Sequence, residues 1–333
     1  MAGRWRRGRT TVLAHVQTWR PYTTSYPALL GLAGAAWAGG AGVRRPVVAA
    51  AAAALGWLSG HYLGDWFDRG LDAIGKPQRP IPSGRLSADA ALAGGVACAA
   101  ASAVLVVTAN WAVLPLFLIA MAGIVGYSRV FKKRGLSGNV SRGALTALAV
   151  VIGAMIARPA PPWSLLPVAA GLLLHDTASN LVGTVRDVDG DRTGGYRSVP
   201  VRHGVRRAVR LALVLYAGGL ALVASSAGWA PRDAAGQVSL LAVAAGCGTA
   251  AFVPLLRSGP VIDARSALRA HEVLVAERLV LAAAVLAGAR GTVTATVVLV
   301  PVLMFSLVTQ KLMRAGHEFP PVPAALVRKD PAA

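Results

Sequence analysis

Charge is what this chain has least of. Charged residues make up 14% of its 333 positions, and Asp and Glu together number only 14, where a soluble domain carries about 25% charged residues. That scarcity excludes an ordinary soluble enzyme. Hydrophobic residues account for 55% and the mean hydropathy is +0.55. Apolar runs of about 18 residues or more recur along the chain, each long enough to cross a bilayer as a helix. The runs are solidly apolar rather than alternating, which argues against a transmembrane β-barrel. Cysteine is nearly missing: Cys98 and Cys247 lie in apolar runs and read as small packing residues. The first twenty residues are basic and lack an apolar h-region, so no signal peptide is expected. They read instead as a cytosolic arm, residues 1–20, suited to anionic lipid. The net charge of +20 raises the possibility of nucleic acid, but the basic residues sit in short loops between apolar runs, as in a membrane protein obeying the positive-inside rule.

What is present is a succession of apolar segments. Spans are expected near 25–43, 46–63, 90–108, 111–128, 142–158, 163–183, 208–229, 236–257, 272–289 and 292–313. The expected fold is an all-α polytopic transmembrane bundle of about nine or ten helices, occupying residues 21–315. Gly and Ala dominate many spans and let helices approach closely in lipid. Most Lys and Arg fall in even-numbered connections, among them Arg69, Lys76, Arg79 and Arg85, then Arg129, Lys132, Lys133, Arg134 and Arg142, then the run from Arg186 to Arg210. Those connections, both termini and any site built on them are therefore expected on the cytosolic side of a multi-pass cell-membrane protein. The pair Arg44–Arg45 violates that pattern. The Pro-rich segment 316–333 reads as a disordered tail.

Six of the scarce acids fall in two clusters: Asp65, Asp68 and Asp72, then Asp187, Asp189 and Asp191. Each follows an apolar span on the expected cytosolic side. On a helix, i, i+3, i+7 places Asp65, Asp68 and Asp72 on one face, and Asp187 and Asp191 at i, i+4 share another. Like charges so close repel unless cations sit between them. Two opposed carboxylate faces suit Mg²⁺, which takes one or two carboxylates and completes its shell with substrate phosphate oxygens. Lys76, Arg79, Lys132, Arg192 and Arg197 lie in the same layer, and a metal with Lys and Arg is the usual clamp for a diphosphate. Lys133, Arg134, Arg206 and Arg207 read as ordinary flanking charge.

These segments resemble the UbiA superfamily of intramembrane prenyltransferases. The stretch "GDWFDRGLDAIGKPQRPIPSG" is similar to that family's NDxxDxxxD motif with its following KPxRPIPSG. The stretch "DVDGDRTGGYRSVPVRHG" is similar to the second aspartate motif, and "YSRVFKK" and "WRPYT" resemble two further family segments in the right order. The resemblance covers roughly residues 19–290 and implies a prenyl diphosphate donor held through Mg²⁺. It implies Asp65, Asp68 and Asp72 on one metal, Asp187 and Asp191 on another, and Arg20, Lys76, Arg79, Lys132 and Arg192 on the diphosphate. One departure is plain: the family's leading Asn is Gly64 here, which removes a side-chain oxygen.

Tyr127, Asp176 and Asn180 are candidates for the prenyl and acceptor pocket. Asp176, Asn180 and Asp187 share one face of a helix, and an ionisable residue within a span marks a functional site by default. The alternative for His175 and Asp176 is that they satisfy each other or a neighbouring helix. His271, Glu272 and Glu277 read as interfacial charges. The implied reaction moves a prenyl group to a lipophilic acceptor, with an aromatic ring favoured as the family's commonest chemistry. Two rivals remain at this stage: a terpene cyclase using the same ionisation, and a non-catalytic lipid transporter or binding protein.

Overall fold

The computed structural model describes residues 2–39, 42–258 and 262–319, with side chains from Thr10 onward. Thirteen helices make up the described chain: α1 (Ala2–Trp19), α2 (Pro21–Trp37), α3 (Arg44–Gly75), α4 (Ala88–Asn110), α5 (Leu114–Arg129), α6 (Ser137–Ala157), α7 (Leu166–Arg186), α8 (Val188–Thr193), α9 (Val199–His203), α10 (Val205–Ser225), α11 (Ala234–Arg257), α12 (Ala264–Arg290) and α13 (Thr292–Glu318). Local chemistry sets several starts. Ser87 Oγ accepts from Ala90 N at 3.1 Å ahead of α4, Asp233 Oδ1 accepts from Gly236 N at 2.8 Å ahead of α11, and Asp263 Oδ1 accepts from Ser266 N at 2.9 Å ahead of α12, each satisfying an orphan N–H.

Among the described residues, seven segments are long and apolar enough to cross a membrane, short of the nine or ten spans read from the sequence. Three features account for the difference. Residues 88–129 count as one segment although α4 and α5 are separate helices. Helix α2 has only 17 residues. Helix α12 carries the charged Glu272, Glu277 and Arg278 within its length.

The core is built around α2 and α12. Every residue of α12 from Leu279 to Gly288 is buried, which marks a helix surrounded by other helices rather than by lipid. Helix α2 is wedged between α3 and α6. A Cβ on Gly34 would collide with the Val150 carbonyl of α6, and one on Gly31 with the Ala49 carbonyl of α3, so the backbones pack at a distance that only glycine permits. Arg45 donates to the Ala157 carbonyl at the C-terminus of α6, where a cation meets the negative end of the helix dipole. That contact gives Arg45 a structural role on the side opposite the aspartates.

Helix α3 extends as a single 32-residue helix through both the apolar run and the first aspartate motif. The chain leaves it through the Lys76–Leu86 loop, runs away along α4, and returns along α5 to place Lys132 beside Asp68. Two short parallel strands, β1 (Arg134–Gly135) and β2 (Arg197–Ser198), tie that return to the segment after the second motif. Gly135 at φ 57° and Gly195 at φ 72° supply the left-handed turns around this pairing.

The segments read as arm and tail are partly built into the bundle. Helix α1 docks through His15 Nδ1 on Tyr62 Oη (2.6 Å) and Arg85 on Gln17. Helix α13 continues through Gly316, His317 and Glu318, three residues into the expected disordered tail. Residues 320–333 of that tail lie outside the described residues.

Candidate active site

One cavity of about 670 Å³ collects nearly all the residues singled out above. Asp65, Asp68 and Asp72 reach it from α3. Asp187 and Asp191 reach it from the α7–α8 junction and α8. Arg20, Lys76, Arg79, Lys132, Tyr127, Asp176 and Asn180 also line it. The expected shared face of Asp176, Asn180 and Asp187 is realised, since all three open onto the same space.

Four of the five carboxylates, Asp65, Asp68, Asp72 and Asp187, each meet a cation. Arg20 pairs with Asp65, Lys132 Nζ lies 2.6 Å from Asp68 Oδ2, and Arg79 Nη1 donates to both oxygens of Asp72 at 3.0 and 2.9 Å. Lys76 Nζ donates to Asp187 Oδ1 at 3.2 Å, and Arg186 donates to both Asp187 oxygens at 3.0 and 2.7 Å. Burial pushes Asp187 up, but the Arg186 guanidinium and the Lys76 ammonium outweigh it and hold the carboxyl well below the usual range. Asp191 is different. Burial pushes it up, and the Asp187 charge adds to that. Burial lowers Lys132, yet Asp68 more than offsets it, so the ammonium is held charged.

Arg20 anchors this end from a strained position. Its backbone is left-handed at φ 47°, the one positive-φ residue other than glycine among the described residues, and such strain persists only where the surroundings hold it. From there the guanidinium reaches Asp65, His317 Nε2 (2.9 Å) and His61 Nδ1 (3.2 Å).

The fit of this end to Mg²⁺ rests on its donors. Asp65 Oδ2 is buried and has no hydrogen-bond partner, an orphaned acceptor of the kind that costs free energy unless a cation or water meets it. Among the described residues no three acids converge closely enough to hold a metal by themselves. That suits an ion taking one or two carboxylates and finishing its shell with phosphate oxygens.

Away from the aspartates the cavity turns apolar, lined by Ala52, Ala53, Gly56, Val106, Phe117, Met121 and Ile124 among others. From Asp65 to Ala52 along α3 is about 20 Å at 1.5 Å per residue, a slot for a long hydrocarbon.

Several residues depart from the sequence reading. Arg192 does not line the cavity: its side chain is 64% exposed and pairs with Asp189 across one helical turn at 3.3 Å. Its place is taken by Arg186, which the sequence offered only as loop charge. His175 and Asp176 do not pair with each other, because adjacent helical positions face different ways, but each is satisfied by a neighbouring helix, the other half of the alternative given for them. His175 Nε2 lies 2.8 Å from Glu277, whereas Asp176 takes Arg278 at 2.6 Å and Thr146 at 2.7 Å. Glu277 is buried and His271 is half-buried at the cavity wall, neither being interfacial, and Arg278 and Arg314, which motif reading overlooked, line the cavity. The one available signal was the run His271, Glu272, Glu277 and Arg278 at the head of an otherwise apolar segment. Arg142 and Arg314 also stand out because no carboxylate among the described residues salt-bridges either of them. Arg142 stacks on Trp57 at 4.4 Å and Tyr127 at 5.7 Å, and Arg314 bonds Gln310 at 2.6 Å and His271 at 2.8 Å.

A model of the UbiA prenyltransferase family matches residues 25–258. A relative from Halobacterium salinarum named digeranylgeranylglyceryl phosphate synthase is 33% identical over 214 residues, covering 62% of this chain and 75% of the relative. A UbiA homolog from Aeropyrum pernix K1 superimposes with a TM-score of 0.66 at 18% identity, covering 78% of this chain and 96% of that one. A UbiA homolog from Archaeoglobus fulgidus bound to DMAPP and Mg²⁺ does so with a TM-score of 0.59 at 19% identity, covering 80% and 98%.

Proposed function

The chain belongs to the UbiA prenyltransferase family, and from that membership we propose that it holds a prenyl diphosphate through Mg²⁺ and passes the prenyl group to a phosphate-bearing lipid. One observation carries the donor half: two carboxylate clusters and four cations, Lys76, Arg79, Lys132 and Arg186, open onto the head of a cavity whose remainder is apolar. Diphosphate fits the charged end and the isoprenoid chain fits the slot. The Archaeoglobus homolog, bound to DMAPP and Mg²⁺, supports the same donor class and metal.

Asp65, Asp68 and Asp72 on one side and Asp187 and Asp191 on the other are the residues from which Mg²⁺ would take its carboxylates, one or two to each ion. When bound, the metal supplies Lewis-acid neutralisation of diphosphate oxygens. The cations contribute the rest. Lys76, Arg79, Lys132 and Arg186 stabilise the negative charge that grows on the leaving diphosphate as the C1–O bond breaks. Tyr127 and the apolar walls around C1 keep water from the electron-poor prenyl carbon. An acceptor hydroxyl oxygen then forms the new bond to C1 and releases its proton.

For the acceptor, the aromatic ring favoured by the sequence reading finds no support among the relatives, whose names specify a glyceryl phosphate. Arg142 and Arg314 favour an anionic head group as well, since each guanidinium lines the cavity without a salt bridge to a carboxylate of the described residues, and a cation drawn out of water calls for an anion. The test is pyrophosphate release from geranylgeranyl diphosphate with Mg²⁺, with and without a prenylglycerol phosphate. Wild type is expected to turn over only with both, and Asp68→Asn to lose about 10²-fold or more. Arg142→Leu is expected to raise KM for the phosphate acceptor and leave that for the donor unchanged. Turnover with an aromatic acceptor alone overturns the acceptor half. Absence of release with every donor overturns the donor half.

A further inference from the structure

The last residue of α13 occupies the centre of the diphosphate clamp. Glu318 lines the cavity. Its Oε2 lies 2.8 Å from Lys76 Nζ and 3.5 Å from Arg79 Nη2, and its Oε1 lies 3.0 Å from Arg186 Nη1. Three of the four clamp cations therefore converge on one carboxylate, contributed by an element distant in sequence from both aspartate motifs. Asp72 and Asp187 share the same cations, but each is fixed inside a helix or at a helix junction. Glu318 stands at the C-terminal turn of α13, where the helix dipole disfavours an anion. The three cations, a Gln78 bond to the His317 carbonyl (3.2 Å) and the Arg20–His317 contact hold it there.

We propose that Glu318 is an internal stand-in for the donor's diphosphate, which must displace it from Lys76, Arg79 and Arg186 in order to bind. The inference rests on the reading of this cavity as a prenyl diphosphate site. A carboxylate in that position gives Arg79, which is buried, and Lys76 and Arg186, which are partly so, a second anion alongside Asp72 and Asp187. It also sets a threshold for entry, because a ligand must bring more negative charge than one carboxylate, or bring the metal as well, to take the cations over. A monoanionic lipid head group competes poorly on those terms, and a diphosphate competes well. Glu318 is in this sense a specificity-determining residue for the donor, acting through the clamp cations.

The experiment is a titration of the full-length protein with inorganic pyrophosphate and Mg²⁺, comparing wild type with Glu318→Gln. The variant keeps the side chain's size and removes its charge. It is expected to bind pyrophosphate about tenfold tighter or more, because a like charge has left the site, and to discriminate less against inorganic phosphate. A folded Glu318→Gln protein that binds pyrophosphate equally or more weakly overturns the proposal, since it makes Glu318 a structural partner or a metal-side group. A second readout does not depend on that variant. Nitroxide labels at Ala315→Cys and at Gly70→Cys, where a Cβ meets nothing within 4 Å, in a Cys98→Ser/Cys247→Ser background, report the distance from the end of α13 to α3. That distance is expected to change when pyrophosphate and Mg²⁺ are added, and an unchanged distance at saturation overturns the proposal even if Glu318→Gln fails to fold. The two readings separate cleanly. Equal pyrophosphate binding by both proteins removes only the role of Glu318, whereas no binding by either removes the diphosphate site and the inference with it.

Discussion

Gly64 faces the cavity with nothing within 4 Å of where its Cβ would stand. The residue that departs from the family motif thus has room for the missing side chain. Gly64→Asn is expected to fold and gain a few tenths of a kcal/mol in helix propensity. It is also expected to lower the Mg²⁺ concentration needed for half-maximal pyrophosphate release by adding an oxygen donor beside Asp65; an unchanged Mg²⁺ dependence would sink that expectation. The two acids of the second motif predict a pH dependence. Asp187, held low by Arg186 and Lys76, contributes stability above its unfolded pKa, which is lost as pH falls through the depressed folded value. Asp191 has the opposite sign: its raised pKa means that ionisation costs stability, and the cost is relieved as pH falls. Asp191 therefore protonates first. At limiting Mg²⁺ the acid limb of the rate profile is expected above the usual carboxylate pKa and to move down at saturating Mg²⁺, since protons and metal compete for the same oxygens. A limb that ignores Mg²⁺ would separate Asp191 from metal binding.

At the scale of elements, α3 is both the wall of the slot and the carrier of the first motif. Small residues at Ala52, Ala53 and Gly56 keep the slot open, and a Cβ on Gly56 would meet only Ser102 Oγ at 3.7 Å. Gly56→Leu projects into the slot about 13 Å from Asp65 along the helix. It is expected to lower kcat/KM for geranylgeranyl diphosphate tenfold or more, about the worth of a few displaced methylenes, and to leave dimethylallyl diphosphate nearly unaffected. Equal losses for the two donors would show that the chain does not lie along α3.

For the whole molecule, the basic loops and the charged mouth of the cavity lie at one end of the bundle, while Arg45, Ala157 and Arg232 lie at the other, Arg232 bonding the Gly288 carbonyl through its backbone at 2.8 Å. By the positive-inside rule the mouth is expected on the cytosolic side. In a Cys98→Ser/Cys247→Ser background, Lys133→Cys is expected to react with a membrane-impermeant maleimide only after cells are opened, and Arg232→Cys to react in intact cells. The reverse pattern would invert the orientation.

Some of this was legible in the residues alone. Run length and hydropathy are local properties, so the all-α membrane class was readable along the chain. The spacing of Asp65, Asp68 and Asp72 was enough to place them on one face, because α3 continues unbroken through the motif. The number of spans was less legible, since α12 buries Glu277 and Arg278 against partners on other helices and its charge no longer reports its depth. Arg186 and Arg192 illustrate the same limit. They stand six residues apart beside the same aspartates, and only the direction of the chain at the α7–α8 junction turns one into the cavity and the other into solvent. Glu318 is the extreme case, 242 residues from Lys76. Sequence determined the lipid-embedded helices, the two carboxylate clusters and the cations near them, because each depends on spacing along one segment. Tertiary structure decided which cations share a cavity, which buried acids serve the core instead, and which carboxylate sits in the clamp, because those depend on the packing of helices far apart in the chain.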